Sequence, residues 1–330
     1  MAVRMVTRGS MRAREINITN EGENLLMKAP LDGMYCKIIE KQALMTRYPW
    51  CRTIEWQYIN SGYREPCGLF KICFNSFFQI HNELVNIWTH FLGGFWCFCL
   101  LIWSITKLAD LNDTIIFSIY CISSIFVCIF STSYHAFHCH SENVCRYVQC
   151  LDWLVISTLI FSSNLLSSYY LLCFVNQTLF VSFTIINVMV MIFTSWMTYS
   201  SVSQQQQKSK KVKRLKIGTT GGGVVAFIGA IINTYAFRTI TYIVYGVGTI
   251  IAWTLNYCIT GKIHSSISGI TSMYSCYGTV VLCLLHFPEK YSLGYTDIFG
   301  ASHQIFHCGV IAGVTVLWST FMNDLNVQLK

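Results

Sequence analysis

From Val85 onward the chain is a succession of apolar runs separated by short polar breaks, whereas residues 1–80 hold no such run. A hydrocarbon core of ~30 Å is crossed by about 20 helical residues. The pattern therefore predicts spans at Val85–Ile105, Ile115–Tyr134, Trp153–Val175 and Leu179–Tyr199. Three further candidates lie at Gly221–Phe237, Ile240–Ile259 and Ile267–Phe287, and a last one at Ile305–Met322. No internal repeat is evident, and Gln204–Gln207 is a short polar tract continuous with a basic segment.

Composition turns this pattern into a solvent assignment. With 53% hydrophobic and only 12% charged residues, the chain has too little charge to cover a soluble surface. The fold class expected is an all-α integral membrane protein, multi-pass, of the plasma membrane or the Golgi and other endomembranes. Arg4, Arg8, Arg12 and Arg14 make the N-terminus basic, but no uninterrupted apolar stretch follows them, so insertion is expected to begin with the first span and not with a cleaved signal peptide.

The net charge of +8 is concentrated in two places, which argues against nucleic acid as a partner. Residues 1–80 carry 11 Lys or Arg against 7 acids, and Lys208, Lys210, Lys211, Lys213, Arg214 and Lys216 form a run without an acid. Short basic segments beside spans mark the cytosolic side and attract anionic lipid. Four crossings between them put residues 1–80, the 135–152 loop and the 208–216 loop all inside. The sequons Asn112-Asp-Thr114 and Asn176-Gln-Thr178 then fall outside.

If 288–302 is also inside, an even number of the three candidates between Gly221 and Phe287 cross. One is then re-entrant or superficial, or two merge. Gly221-Gly222-Gly223 and Asn233-Thr234 weaken the first, while Thr249 and Thr254 break the second, and the pattern does not choose between them. Most of the sixteen cysteines, including Cys97, Cys99, Cys121, Cys128, Cys173, Cys258 and Cys283, lie in apolar runs, where cysteine acts as a small hydrophobe; few or no disulfides are expected.

Histidine is costly in a bilayer, so the nine histidines carry the chemical signal. His303 and His307 open the last span at i, i+4, which puts both imidazoles on one helix face as adjacent metal ligands require. His135, at the end of the second span, reaches the same depth by parity and supplies a third ligand. Ser131, one turn earlier, shares its face as a supporting hydroxyl. Asp152, read as the start of the third span, can orient water or accept its proton. Three histidines leave the fourth position of a zinc ion open, the arrangement of a catalytic metal. The remaining histidines read as structural: His138 and His140 as interfacial groups bonding a carbonyl, His81 and His90 as pins beside Glu83 and Asn86 at the entry to the first span, and His264 and His286 without a partner at helical spacing. The irregular spacing of Cys139, Cys145 and Cys150 argues against a thiolate site.

Three blocks resemble one family. His81-Asn82-Glu83-Leu84-Val85-Asn86-Ile87-Trp88-Thr89-His90 is the first. Ser131-Thr132-Ser133-Tyr134-His135 with Cys139-His140-Ser141-Glu142 and Asp152 is the second. The third is Pro288-Glu289-Lys290-Tyr291 with Ser302-His303-Gln304-Ile305-Phe306-His307. In this order, from about Gly62 to the last span, they resemble the progestin and adipoQ receptor family, which includes the adiponectin receptors and belongs with the haemolysin III-like proteins. The resemblance implies a seven-transmembrane helix bundle over residues 81–330, a cytosolic N-terminal region 1–80 with a short amphipathic segment, and an extracellular or lumenal C-terminus. It also implies zinc near the cytosolic face at His135, His303 and His307, with Ser131 and Asp152 contributing. Val155 stands where that family has a small residue, and so is expected to narrow a substrate cavity.

Two functions follow. One is an adiponectin-receptor-like receptor with zinc-dependent lipid-amide hydrolase chemistry, taking ceramide sideways from the bilayer and leaving free fatty acid in the bundle. The other is a non-catalytic receptor, scaffold or tether with structural zinc, answering an extracellular or lumenal ligand or holding cytosolic partners through residues 1–80.

Overall fold

Each apolar run that falls on described residues is a helix. The computed structural model describes residues 34–51, 57–212, 235–261 and 266–328. The four N-terminal arginines, Lys213, Arg214, Lys216, His264 and all but the last three residues of the Gly221–Phe237 candidate lie outside them.

Two short helices, α1 (Lys41–Arg47) and α2 (Phe70–Asn75), and an antiparallel pair of two-residue strands, β1 (Ile38–Ile39) and β2 (Tyr63–Arg64), precede the bundle. The bundle comprises α3 (Leu84–Lys107), α4 (Leu111–Phe137), α5 (Glu142–Ser168, running into a π-turn at Tyr169–Cys173), α6 (Gln177–Val212), α7 (Tyr235–Thr260), α8 (Ser266–Leu284) and α9 (Ser302–Gln328). Among the described residues, six of these helices are long and apolar enough to cross a membrane, and α8 contributes a shorter apolar stretch. The chain is a multi-pass integral membrane bundle.

α3 shows how sequence makes such an element. Asn86, His90, Gly93, Cys97, Leu100 and Ser104 recur at helical spacing and are buried, while Phe91, Phe95, Phe98 and Ile102 stand exposed on the other side. An outward face of large apolar groups is stable only against lipid. Inside, the packing of α4, α5, α7 and α9 centres on Phe117, Tyr120, Leu166, Trp253, Leu317 and Phe321.

Without a hydrophobic force between helices in lipid, small residues and side-chain hydrogen bonds hold them together. Asn164 of α5 donates to Asn187 of α6 (2.7 Å) and accepts from Thr249 of α7 (2.6 Å). Ser157 donates to the Tyr242 hydroxyl at 3.0 Å, and Thr194 donates to Ser157 at 3.0 Å. Gly309 lets α9 meet α8: a Cβ there would lie 2.6 Å from the Ser275 carbonyl oxygen.

Three boundaries differ most from the pattern. α6 continues past Tyr199 to Val212, through the Gln204–Gln207 tract and into the segment read as a basic loop. α5 starts at Glu142 and not near Trp153, because its first turns are amphipathic: Cys145, Val148 and Cys150 are buried while Arg146 pairs with Glu142 at 2.6 Å. Asp152 therefore sits inside a helix and not at its start. α8 stops at Leu284, short of Phe287, where Pro288 cannot continue a helix. None of the sixteen cysteines is in a disulfide.

Candidate metal centre

The site forms where the end of α4 meets the start of α9. His135 lies in the last turn of α4, and His303 and His307 in the first turns of α9. Their ligand nitrogens lie within 4.8 Å of one another, and His135 Nε2 is 3.4 Å from His303 Nε2. Two nitrogens bound to one tetrahedral zinc stand about 3.3 Å apart, so this donor set fits the ion.

The opposite ring nitrogens are held. His135 Nδ1 lies 2.7 Å from Glu83 Oε2, and that carboxylate also accepts from Asn86 Nδ2 at 2.7 Å. The Thr89 hydroxyl donates to the Val85 carbonyl (2.8 Å), so its oxygen is left to accept from His307 Nδ1 at 3.2 Å. His303 Nδ1 faces Cys283 Sγ at 3.7 Å. A metal-binding imidazole held through its second nitrogen keeps one tautomer and one orientation, with Nε2 turned to the ion.

The helix ends are also fixed. Arg64, buried beneath α4, donates to the carbonyls of Ala136 (3.1 Å) and His135 and to Ser76 Oγ (2.6 Å). Glu289, fully buried, accepts from the Ser302 backbone N–H (2.8 Å) and hydroxyl at the N-terminus of α9, where an acid also suits the helix dipole. These two contacts set the rotation of the helices that carry the three imidazoles.

Ser131, one turn before His135 on α4, is buried, and Asp152 lies on α5, which packs against α4. Both line, with the three histidines, a cavity of about 570 Å³ whose walls include Ile156, Leu159, Ile160, Val310, Val314 and Leu317. Val155 does not line it. It is buried on another side of α5, so the expected narrowing does not occur.

His81 pins the chain ahead of α3. Its Nε2 lies 3.0 Å from the Ser76 carbonyl, and its Nδ1 accepts from the Glu83 N–H at 3.1 Å. Burial, with the Arg64 guanidinium beside it, pushes its pKa down to about 2, which matches a neutral ring that donates through one nitrogen and accepts through the other. His138 contacts the His135 carbonyl at 3.2 Å, and His140 lies against the Phe70 ring at 4.1 Å. His90 was read only as a pin, yet its ring lies 3.8 Å from that of His307. His286 also lines the cavity. Glu83, Thr89 and His90 were available to sequence reasoning through one signal, a polar stripe at helical spacing in an otherwise apolar helix.

The family model for haemolysin-III-related proteins matches residues 78–318. The chain belongs to that family. Among relatives of this haemolysin-III-related chain is progestin and adipoQ receptor-like protein 1 of Caenorhabditis elegans, 26% identical over 278 residues, which are 78% of this chain and 56% of that protein. The adiponectin receptor protein of Drosophila melanogaster is 26% identical over 265 residues, 78% of this chain and 54% of that protein. Progestin and adipoQ receptor family member 3 of Mus musculus is 29% identical over 279 residues, 79% of this chain and 78% of that protein. The chain thus spans about half the length of the first two. Every histidine, carboxylate and hydroxyl of the centre falls within the matched residues, whereas Arg64 and the first four cysteines precede them.

Proposed function

We propose that this receptor-family member binds one zinc ion through His135, His303 and His307 and hydrolyses a lipid amide of the ceramide type in the adjoining cavity. The observation that carries this reading is the convergence of three imidazoles, each with its second nitrogen engaged, on a cavity that also holds a carboxylate, a hydroxyl and a long apolar wall. Bound by these three imidazoles, a zinc ion would supply a Lewis acid to polarise the amide carbonyl and favour attack by water near neutral pH. Glu83 and Thr89 keep the imidazoles oriented throughout. Asp152, with Ser131 as a supporting hydroxyl on the same cavity wall, takes the proton of the attacking water as the new C–O bond forms and passes it to the amine as the C–N bond breaks, giving a fatty acid and a sphingoid-type amine. The apolar wall holds the acyl chain.

The proposed topology has seven crossings, α3 to α9, with residues 1–80 cytosolic and the centre near the cytosolic face. Support comes from the 3.4 Å approach of His135 to His303: an even number of crossings must separate the end of α4 from the start of α9, and α5, α6, α7 and α8 supply four.

The test is release of fatty acid from a ceramide by the purified full chain, beside an Asp152→Asn variant. Activity should fall by ~10²- to 10⁴-fold in the variant with zinc content retained. A zinc-loaded, folded wild type that releases none would leave zinc as a structural tie between helices in a non-catalytic receptor.

A further inference from the structure

Four cysteines gather beneath the end of α4, outside the histidine centre. Cys36 precedes β1, Cys67 precedes α2, Cys73 lies in α2, and Cys139 follows α4. The sulfurs of Cys36, Cys67 and Cys73 all lie within 4.8 Å of one another. Cys67 Sγ is 3.4 Å from Cys73 Sγ, and Cys73 Sγ is 3.7 Å from Cys139 Sγ. Cys36, Cys73 and Cys139 are buried, and Cys67 is half-buried.

The spacing distinguishes three chemistries. Disulfide sulfurs lie about 2.05 Å apart, and the sulfurs here stand well beyond that. An iron–sulfur cluster spreads its ligand sulfurs around several metal atoms. Four thiolates on a single tetrahedral zinc, at ~2.3 Å each, stand about 3.8 Å from one another; the Cys67–Cys73 and Cys73–Cys139 pairs stand near that spacing, and Cys139 lies outside the group of three close sulfurs and joins it through Cys73. The position 139, set aside on sequence spacing together with Cys145 and Cys150, finds its partners in the chain ahead of the bundle.

Packing gives the second argument. The buried members of this small core are the three cysteines alone, flanked by Cys67, Ile72 and Phe137. No buried leucine, isoleucine, valine or phenylalanine contributes, so apolar burial holds this corner weakly. α1 and the two strands rest on a separate core of Leu44, Ile59 and Tyr63, whereas the six-residue α2 buries only Cys73 and needs a staple to keep its place. Backbone bonds already align the segments, from the Cys67 N–H to the Cys139 carbonyl (3.3 Å) and from the Gly68 N–H to the His140 carbonyl (3.0 Å). Four thiolates and one divalent ion sum to a charge of about −2. The buried Arg64 guanidinium offsets part of it, since its field reaches Cys139.

We propose that Cys36, Cys67, Cys73 and Cys139 bind a second, structural zinc ion that fastens residues 36–73 to the end of α4, and so holds Arg64 and Glu83 against His135. Because the thiolate shell is closed by four protein ligands, this ion takes no part in hydrolysis. The proposal does not rest on the histidine centre being loaded.

Zinc-edge X-ray absorption on the full chain in detergent, prepared under reducing conditions, tests it together with zinc counted per chain. The His303→Ala, His307→Ala double variant is expected to keep one zinc with a sulfur shell at about 2.3 Å. Wild type is expected to hold two, with sulfur and nitrogen neighbours mixed. A Cys36→Ser, Cys73→Ser double variant should lose one zinc and keep a shell without sulfur. Wild type decides the matter even if that variant fails to fold: a shell free of sulfur, or a disulfide among the four cysteines found by alkylation and mass spectrometry, overturns the proposal. A wild type with one zinc in a sulfur-only shell would sink the histidine reading and leave this one standing.

Discussion

Glu83 meets His135 across 52 residues of chain, and no local pattern announces that pairing. Its carboxylate stabilises the Nδ1–H tautomer and turns Nε2 toward His303. Glu83→Gln keeps the shape and removes the charge, so zinc affinity at the histidine centre is expected to fall ~10- to 100-fold, read by competition with a chelator. An affinity equal to wild type would show that Glu83 serves only the fold. The convergence of His135, His303 and His307 was legible because i, i+4 spacing and position at a span end are visible in one dimension. His90 was not, because whether a helical histidine faces its own helix ends or a neighbour's ring depends on the rotation of α3 against α9, which only packing sets.

At the scale of elements, apolar run length located α3, α4, α7 and α9 and the start of α6 well, since each must match the same slab of hydrocarbon, but not the polar end of α6 beyond Tyr199. It misplaced the start of α5, whose first turns bury only one face and so look like a polar loop in a hydropathy average. The N-terminus of α9 depends on one buried carboxylate. Glu289→Ala leaves the Ser302 N–H and hydroxyl unsatisfied; a stability loss of about 1–3 kcal/mol is expected, and with it a weaker histidine centre, read by thermal unfolding in detergent and by zinc content. Gly309→Ala drives a methyl group into the α8 backbone at Ser275 and is expected to cost about 1–3 kcal/mol on the same assay. Unchanged unfolding of that variant would mean that α8 and α9 sit farther apart than described.

At the scale of the molecule, charge asymmetry and parity narrowed the topology to an even number of crossings between Gly221 and Phe287 without naming them. The 3.4 Å approach of His135 to His303 calls for the same even parity. In sealed membranes with the cytosolic face outward, a protease-sensitive tag after Lys216 should be cut and one after Lys330 protected. Cleavage of both would break the seven-crossing arrangement. The helical bundle and its family were legible in the chain, whereas the corner held by four cysteines was not, because its members are scattered over 104 positions, from Cys36 to Cys139, with no repeated interval.

The central claim is that His135, His303 and His307 hold one zinc ion at the inner end of the cavity. Zinc counted per chain in the purified, folded protein, beside the His303→Ala, His307→Ala double variant, tests it most directly. The account predicts one zinc fewer per chain in the variant, with ceramide hydrolysis lost alongside it. Equal zinc in the two proteins, both folded, would contradict it.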